Sequence, residues 1–379
     1  MARRPLITDA ERRSRLAWRH HLAPGTATND VAALTDGLVA VHSSDPVSVH
    51  LALGTRMATP SIGAVERALY DNHLVLRHHA MRRTLWVMTP DTAVAAHASS
   101  TVRVGRAQRR RHLKLLGWEE DRFQLAIDAV AAELSDEPVT TAELGERLPE
   151  LSERTTFAAG TPNETMISAL SLVLLHAGFT GRTIRDRPDS WKTSQYRWLA
   201  PWVDFPTGSG RHADLLRRWL ARFGPGTETD LVWWTGWTKT SVRKALEAVQ
   251  AVEVDLEDGS VGWVLPDDTS SEKQPPRWVA LLPGLDSTAM GWKERAWYLD
   301  PAHHPRVVDR NGNIGPTIWA DGRVAGGWAQ RPSGDIAVEL YESVDQGTLE
   351  SAIDRLQALV GDRRFKVRFP APNQRDLLA

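Results

Sequence analysis

Three residues that could take part in acid–base chemistry lie close together in the segment His-Ser-Ser-Asp-Pro: His42, Ser44 and Asp45. Proline is favoured at the first position of a helix and Asp or Ser just before it, so a helix is predicted to begin at Pro46. His42 would then lie in the turn that leads into a helix N-terminus, which attracts phosphate or orients a nucleophilic water. Its imidazole, with an ordinary pKa near ~6.5, could act as a base on that water. Helix capping is the alternative role for Asp45, and also for Ser44.

A second set of candidates lies in an alternating, hairpin-like stretch at residues 73–89. Its basic residues suit contact with phosphate or with a minor groove, because the tip of a hairpin reaches into a groove easily. These candidates are Arg77, His78, His79, Arg82 and Arg83. Lys192, in the loop of a later predicted hairpin, is a weaker candidate of the same kind. An ordinary solvated turn is the alternative.

The charge of the chain is distributed unevenly. Between Arg77 and Lys114 there are nine Lys or Arg residues and one acid, Asp91, so this stretch carries +8. The whole chain carries −1, which leaves −9 for the remainder. A local basic surface on an otherwise acidic protein is compatible with binding of double-stranded DNA by one face. A solvated helix face remains an alternative for residues 106–114.

Several kinds of site are excluded or disfavoured. The chain has no cysteine, which excludes disulfides, thiolate nucleophiles and zinc sites built on Cys. The pairs His78-His79 and His303-His304 are not expected to chelate, because adjacent side chains in a strand point to opposite faces. We find no glycine-rich phosphate loop and no Gly-x-Ser-x-Gly or His-Glu-x-x-His motif, and therefore predict no metal and no cofactor. The Trp residues at 233, 234 and 237 are interpreted as core rather than as a base-stacking surface.

A repeated order of helix, helix, helix and hairpin occurs three times and must position these residues. The hairpin strands are predicted near Leu74–Arg77, Thr180–Ile184 and Glu253–Glu257, and Asp258-Gly259 fits a type I′ turn. This order is that of the winged helix. The predicted fold class is α+β, with three tandem winged-helix units and a C-terminal β-rich, barrel-like module after a polar linker. The predicted boundaries are 1–100, 101–208, 209–268 and 275–379.

Four segments carry a resemblance to a known family. They are residues 37–57 (GLVAVHSSDPVSVHLALGTRM), 223–246, 281–301 and 319–330 (WADGRVAGGWAQ). They resemble the AlkZ-like winged-helix DNA glycosylases. The resemblance implies hydrolysis of the N-glycosidic bond of alkylated or bulky-adduct bases in duplex DNA, from the groove rather than by base flipping. Such a reaction passes through an oxocarbenium-like transition state.

The chain differs from this family at the two positions that the resemblance implies for catalysis. The family has Gln-x-Gln or Gln-x-Asp where this sequence has His42-Ser43-Ser44. The resemblance implies that the side chains at these positions hold the water or the sugar while the bond breaks. A non-catalytic winged-helix DNA-binding protein, acting as a regulator or lesion sensor, is therefore the alternative. A protein-interaction scaffold is a third possibility, against which the basic stretch argues.

The location is predicted from what the sequence lacks. No apolar run approaches the ~20 residues that a membrane span needs, and the start of the chain lacks the apolar segment of a secretory signal. We expect a cytoplasmic, nucleoid-associated protein that works as a monomer.

Overall fold

Local capping signals fix where several helices begin in the computed structural model, which describes residues 4–161 and 164–379. The Thr8 side chain accepts a hydrogen bond from the backbone N–H of Glu11. Thr140 and Thr227 each form a reciprocal capping box with the acidic residue three positions later. Side chains that satisfy the free N–H groups of the first turn define a helix start strongly, so these boundaries follow from the sequence.

The first part of the chain contains the predicted helices and hairpin, together with further short elements. In chain order the elements are β1 (Leu6–Ile7), α1 (Asp9–Arg19), α2 (Val31–Gly37), β2 (Val41–His42), α3 (Pro46–Gly54), α4 (Ile62–Glu66), β3 (Leu76–His79), β4 (Leu85–Met88), α5 (Pro90–Ala96) and α6 (Val102–Leu116). Helix α4 continues as a π-helical turn to Asp71, and β3 then pairs antiparallel with β4. The predicted hairpin after a helix is therefore present.

The second part has one hairpin more than expected. Its elements are α7 (Glu120–Ala132), α8 (Thr141–Arg147), β5 (Arg154–Phe157), β6 (Thr165–Ser168), α9 (Ala169–Phe179), β7 (Ile184–Asp186) and β8 (Arg197–Leu199). The stretch 165–168, which the predicted order of three helices and one hairpin does not include as a strand, pairs antiparallel with β5. Ser168 caps α9 by accepting from the N–H of Ser171, which is why the helix starts only there.

The third part follows the predicted order. Its elements are α10 (His212–Phe223), α11 (Glu228–Thr235), α12 (Lys239–Ala248), β9 (Val252–Leu256) and β10 (Val261–Val264). Gly259 has a left-handed backbone with φ of 82°, but Asp258 is not among the residues with positive φ. A type I′ turn needs positive φ at both positions, so the turn is of another type and the connecting loop is longer than two residues.

The C-terminal part forms an open sheet, which corrects the expected barrel. Its elements are β11 (Val279–Leu282), α13 (His304–Val307), β12 (Thr317–Ala320), β13 (Arg323–Gln330), β14 (Ile336–Leu340), α14 (Gln346–Val360) and α15 (Gln374–Leu378). The strands run antiparallel in the order β11-β12-β13-β14 and form no closed barrel in the described parts of the chain. Four strands are too few to close comfortably. Leucines of α14 instead pack with Trp328 of the sheet and with Val47 and Leu51 of α3.

Two sheets join parts of the chain that are distant in sequence. The order β2-β4-β3-β7-β8 places β3 in the middle of a five-stranded sheet, because Arg77 pairs with Arg185. Strand β1 pairs parallel with β9, which ties the N-terminal residues to the third part. None of the described helices is long and apolar enough to cross a membrane.

Candidate active site

The loop from His42 to Asp45 is held at both of its ends. His42 is the last residue of β2 and pairs with Trp86 of β4, and the backbone N–H of Ser43 donates to the carbonyl oxygen of Leu85 at 2.8 Å. At the other end, Asp45 caps α3 by accepting from the N–H of Val47 at 3.2 Å. The helix begins at Pro46 as predicted, and the position of His42 is therefore set by sheet pairing and by a helix cap together.

The environment of His42 keeps its imidazole neutral. The side chain is buried, and its ring makes an edge contact with Trp86 at 4.7 Å between centroids. Burial, assisted by the nearby Arg82 guanidinium, lowers the pKa of His42 to about 3. The N–H of Ser44 lies 3.4 Å from Nδ1, a long contact in which Nδ1 accepts. The proton of the neutral ring then resides on Nε2, so His42 offers an N–H donor rather than a basic nitrogen on that side.

His42 lines a cleft of about 670 Å³ that brings together three parts of the chain. Arg82 comes from the first hairpin, Trp233 from α11, and Lys293 and Arg295 from the segment after β11. No carboxylate side chain is among the described residues that line it. The cleft therefore attracts negatively charged ligands, and the polyanionic backbone of DNA is one such ligand.

One tryptophan of the cleft lies between two arginines. The guanidinium carbon of Arg82 is 4.2 Å from the centroid of the Trp233 ring, and that of Arg295 is 5.6 Å from it. Burial, with a smaller contribution from Arg295, lowers the pKa of Arg82 to about 10, so the guanidinium remains charged at neutral pH. These cation–π contacts hold the two charges at the wall of the cleft.

Ser44 and Asp45 lie outside the lining of the cleft. Asp45 is buried, and its second carboxylate oxygen accepts from the backbone N–H of Arg368 at 3.3 Å. Burial raises the pKa of Asp45, while the hydrogen bonds from Arg368 and Val47 act in the opposite direction. Ser44 is half-buried, and its carbonyl oxygen accepts from the Arg368 guanidinium at 3.2 Å. Of the three candidates, His42 alone faces the cleft.

Three of the predicted DNA-contacting residues are interior, which corrects the expectation for them. Arg77, His78 and His79 lie on β3, the middle strand of the five-stranded sheet, where both faces are covered. The Nε2 of His78 lies 2.8 Å from the Nδ1 of His97, and His79 packs on Phe179. Because these side chains are buried, they have no free surface for phosphate in this structure.

Arg77 supports the loop that carries His42. Its Nε donates to the Ser43 hydroxyl at 3.0 Å, and its guanidinium also donates to the Tyr70 hydroxyl. The guanidinium lies over the ring of Tyr196 at 4.9 Å. Arg77 therefore supports the site indirectly, because it holds Ser43, the residue that follows His42, in place.

The remaining predicted contacts are at the surface. Arg82 and Arg83 form the hairpin tip with φ of 54° and 63°; Arg82 enters the cleft and Arg83 is exposed. Lys192 is exposed and lines a separate groove of about 860 Å³ with Arg331, Arg364 and Lys366. For Arg82, Arg83 and Lys192, contact with DNA stays a prediction.

Sequence reasoning missed the part of the cleft that comes from the C-terminal module. Lys293 and Arg295 lie between Trp292 and Trp297, in one of the four segments that carry the family resemblance. The sequence signal for this part of the site was the presence of two cations among aromatic residues. These residues are about 250 positions from His42 in the sequence, so the sequence alone did not indicate that they lie in the same cleft.

One group of possible metal ligands is next to the cleft but is not part of its lining. Ligand atoms of Asp300, His303 and Glu342 all lie within 4.8 Å of one another. Glu342 already accepts two hydrogen bonds from the Arg323 guanidinium, at 2.9 and 3.2 Å, which offsets its charge. We assign no ion to this group.

Comparisons with known proteins agree with one another. A sequence model of the family described as "DNA glycosylase AlkZ-like" matches residues 35–359. The chain is similar to the "Interstrand DNA cross-link repair glycosylase" of Streptomyces sahachiroi, with 26% identity over 333 residues that cover 82% of this chain and 86% of that protein. It also superposes on the solved structure of "Streptomyces sahachiroi DNA glycosylase AlkZ" with a TM-score of 0.74 and 21% identity. This match covers 95% of this chain and 98% of the other, and it concerns the fold.

Proposed function

The chain belongs to the AlkZ-like DNA glycosylase family, whose members hydrolyse N-glycosyl bonds, and we propose that its active site is the cationic cleft lined by His42. The observation that carries this proposal is the meeting of His42 with Arg82, Lys293 and Arg295 in one cleft without a lining carboxylate among the described residues. Phosphate groups flanking a damaged nucleotide would be attracted to these cations, with the sugar next to the neutral imidazole. The substrate in this proposal is an alkylated or bulky-adduct base in double-stranded DNA.

The architecture around the cleft is consistent with three winged helices. Each of the three hairpins β3–β4, β7–β8 and β9–β10 follows a helix and returns antiparallel. We assign the units to residues 1–100, 101–208 and 209–268, with residues 275–379 as the C-terminal module. The tip of the first hairpin supplies Arg82, and the C-terminal module supplies Lys293 and Arg295. In this arrangement the cleft lies where the first hairpin, the third unit and the C-terminal module meet.

The proposed reaction breaks the C1′–N bond, and its electron pair leaves with the base. The deoxyribose becomes oxocarbenium-like, water adds its oxygen to C1′, and the proton released from that water passes to solvent. A pKa of about 3 makes His42 a weak base. It therefore acts as a donor through Nε2–H, holding the water or the sugar in place. A glutamine amide, which the family has at this position, offers the same kind of N–H donor.

The name of the relative and the width of the cleft support a bulky lesion as the substrate. The S. sahachiroi relative is named for repair of interstrand cross-links. A base that is cross-linked or bulky cannot easily be flipped into a closed pocket. A wide cleft of about 670 Å³ at the meeting of three parts of the chain suits attack from the groove instead. We propose that the protein acts as a monomer.

Base release from a panel of alkylated and bulky-adduct duplexes tests this function. Native protein is expected to release the damaged base, and His42→Ala to slow release by about tenfold to a hundredfold, the cost of one unmade hydrogen bond of ~1–3 kcal/mol. Ser44→Ala should stay within a few-fold, because Ser44 contributes its backbone groups and not its hydroxyl to the contacts around His42. The matched variant His42→Gln should retain activity.

The same assay separates the alternative of a non-catalytic DNA-binding protein. The specific observation that favours this alternative is the replacement of both family glutamines by His42 and Ser44. If native protein binds the duplexes without releasing any base, and the double variant His42→Gln, Ser44→Gln is active, the chain is a binding relative. Release by native protein that is unaffected by His42→Ala would remove His42 from the active site.

A further inference from the structure

A row of arginine and lysine side chains runs along the exposed face of α6. Positions three or four apart lie on the same face of a helix, and α6 carries cations at four such positions: Arg103, Arg106, Arg110 and Lys114. All four are exposed, and the helix sequence contains no acid. We call these four residues the basic stripe. The opposite face of α6 is buried, with Gly105 against Phe179 of α9, so the stripe is the face that the fold leaves to solvent.

The stripe lacks the acidic partners that surface arginines commonly have. Arg109, on the side of the same helix, pairs with Glu120 and Gln124. Within residues 4–161 and 164–379, none of the four stripe residues takes part in a salt bridge. Four like charges in a row repel one another by ordinary electrostatics, and the fold supplies no counter-charge in contact with them. Such a surface is best stabilised by an external polyanion.

The stripe begins at the rim of the cleft. The Arg103 guanidinium donates to the carbonyl oxygen of Gly236, which ends the helix that carries Trp233. Gly236 in turn packs against Arg82, since a Cβ there would lie 3.3 Å from the Arg82 Cγ. A continuous path of contacts thus leads from the cleft, through Arg82 and Gly236, to the first residue of the stripe.

The length of the stripe fits a stretch of one DNA strand. At a rise of ~1.5 Å per residue, Arg103 and Lys114 are about 16 Å apart along the helix axis. One strand of B-DNA presents a phosphate every ~3.4 Å along its axis, so the stripe spans about five phosphates. A base-removing cleft needs only the few nucleotides at the lesion. The stripe would reach beyond them.

We propose that the basic stripe of α6 binds the phosphate backbone of the duplex that flanks the lesion, outside the cleft. This proposal rests on the proposed function, because it takes duplex DNA as the occupant of the cleft. It assigns to α6 a positioning role: the stripe fixes the register of the duplex on the protein and contributes affinity without sequence preference. Arg103 joins the cleft to this surface, and the three residues after it make the flanking contacts.

The test replaces the three flanking cations and measures binding as a function of salt. Arg106→Gln, Arg110→Gln and Lys114→Gln are combined in the full chain, and anisotropy of a labelled duplex of about 30 base pairs is followed between ~50 and ~300 mM salt. Each lost phosphate contact should reduce the slope of log K against log salt by ~0.9, so a reduction of roughly 2 to 3 is expected, with at least tenfold weaker binding near ~100 mM. Thermal unfolding of the variant checks that it remains folded.

A matched control has the same loss of charge elsewhere. Lys273→Gln, Arg363→Gln and Arg375→Gln remove three exposed cations from the linker and the C-terminal module, and these residues form no salt bridge in the described parts of the chain. The control should keep the native slope. An equal loss in the control would mean that net charge alone was responsible, and the proposal would fail.

The failure of this proposal is distinguishable from the failure of the proposed function. Base release at saturating protein should be unchanged in the stripe variant, because its side chains lie outside the cleft. If native protein binds and cleaves the duplex but the variant has the native slope, the stripe is not part of the interface and the function stands. If native protein binds no duplex at any salt concentration, both proposals fall.

Discussion

The pH dependence of base release gives a sharp test of how His42 works. An imidazole with an ordinary pKa near ~6.5 would change its charge between pH 5 and 8, and a rate that needs the neutral form would follow it. His42 is buried against Trp86 near Arg82, and its pKa is lowered to about 3. A lowered pKa means that the neutral form predominates at every pH above about 3. The rate should therefore show no inflection near the ordinary pKa.

The expected difference is large enough to measure. With a pKa of about 3, only ~1% of the His42 side chains are protonated at pH 5, so nearly all of them are neutral. With an ordinary pKa, ~97% would be protonated at pH 5, and the neutral fraction would be about 30-fold smaller than at pH 8. We expect the single-turnover rate to vary by less than about twofold from pH 5 to 8, compared with a 30-fold fall towards pH 5 for an exposed imidazole that acts as a base.

The assay uses an alkylated duplex at saturating protein, with the enzyme-free release at each pH subtracted. His42→Gln has no titrating group at this position, so its profile should run parallel to that of the native protein. An inflection near pH 6.5 in native protein that is absent from His42→Gln would refute the reasoning. Titration of the His42 ring by two-dimensional NMR reports the same pKa without any substrate, and a value near 6.5 there would have the same consequence.

Two further predictions concern the elements that position the loop. Arg56 and Asp286 form a fully buried, two-bond ion pair between the end of α3 and the C-terminal module, so Arg56→Ala should lower the free energy of unfolding by about 3–5 kcal/mol in urea denaturation. Arg56→Ala leaves the Asp286 carboxylate buried without a partner, whereas the double variant Arg56→Met, Asp286→Leu removes both charges and should lose much less stability. An equal loss of stability in the double variant would contradict this explanation. Asp45→Ala should cost about 1 kcal/mol of stability through the lost helix cap, while Asp45→Asn keeps the cap. Base release by Asp45→Asn should stay within a few-fold of native, and a loss of a hundredfold would show that the carboxylate takes part in the chemistry.

The features that the sequence predicted well are local ones. Helix α3 was predicted to begin at Pro46, and it does so with Asp45 as its cap. The helices that begin at Asp9, Thr141 and Glu228 depend in the same way on a capping side chain and on residues within one turn. Capping is decided by neighbours in sequence, so a single chain contains the necessary information.

The features that it predicted poorly depend on distant pairing. Residues 77–79 read as part of a basic hairpin tip, whereas the pairing of Arg77 with Arg185 places β3 in the middle of a sheet. Nothing in the alternation of β3 indicates that a strand from residues 184–186 will cover its other edge. The site predicted from the sequence was incomplete for the same reason, because Lys293 and Arg295 reach the cleft of His42 only when the whole chain folds.

The two shared sheets restrict how this chain can be divided or rearranged. A fragment ending near residue 100 would leave one edge of β3 unpaired, and a fragment lacking residues 4–7 would expose an edge of β9. Free strand edges are templates for association with other chains. In solenoid proteins, by contrast, each repeat touches only its neighbours, and repeats can be gained or lost singly. Here strands pair across the boundaries of the proposed units, so we expect duplication or deletion of one unit to be poorly tolerated during evolution.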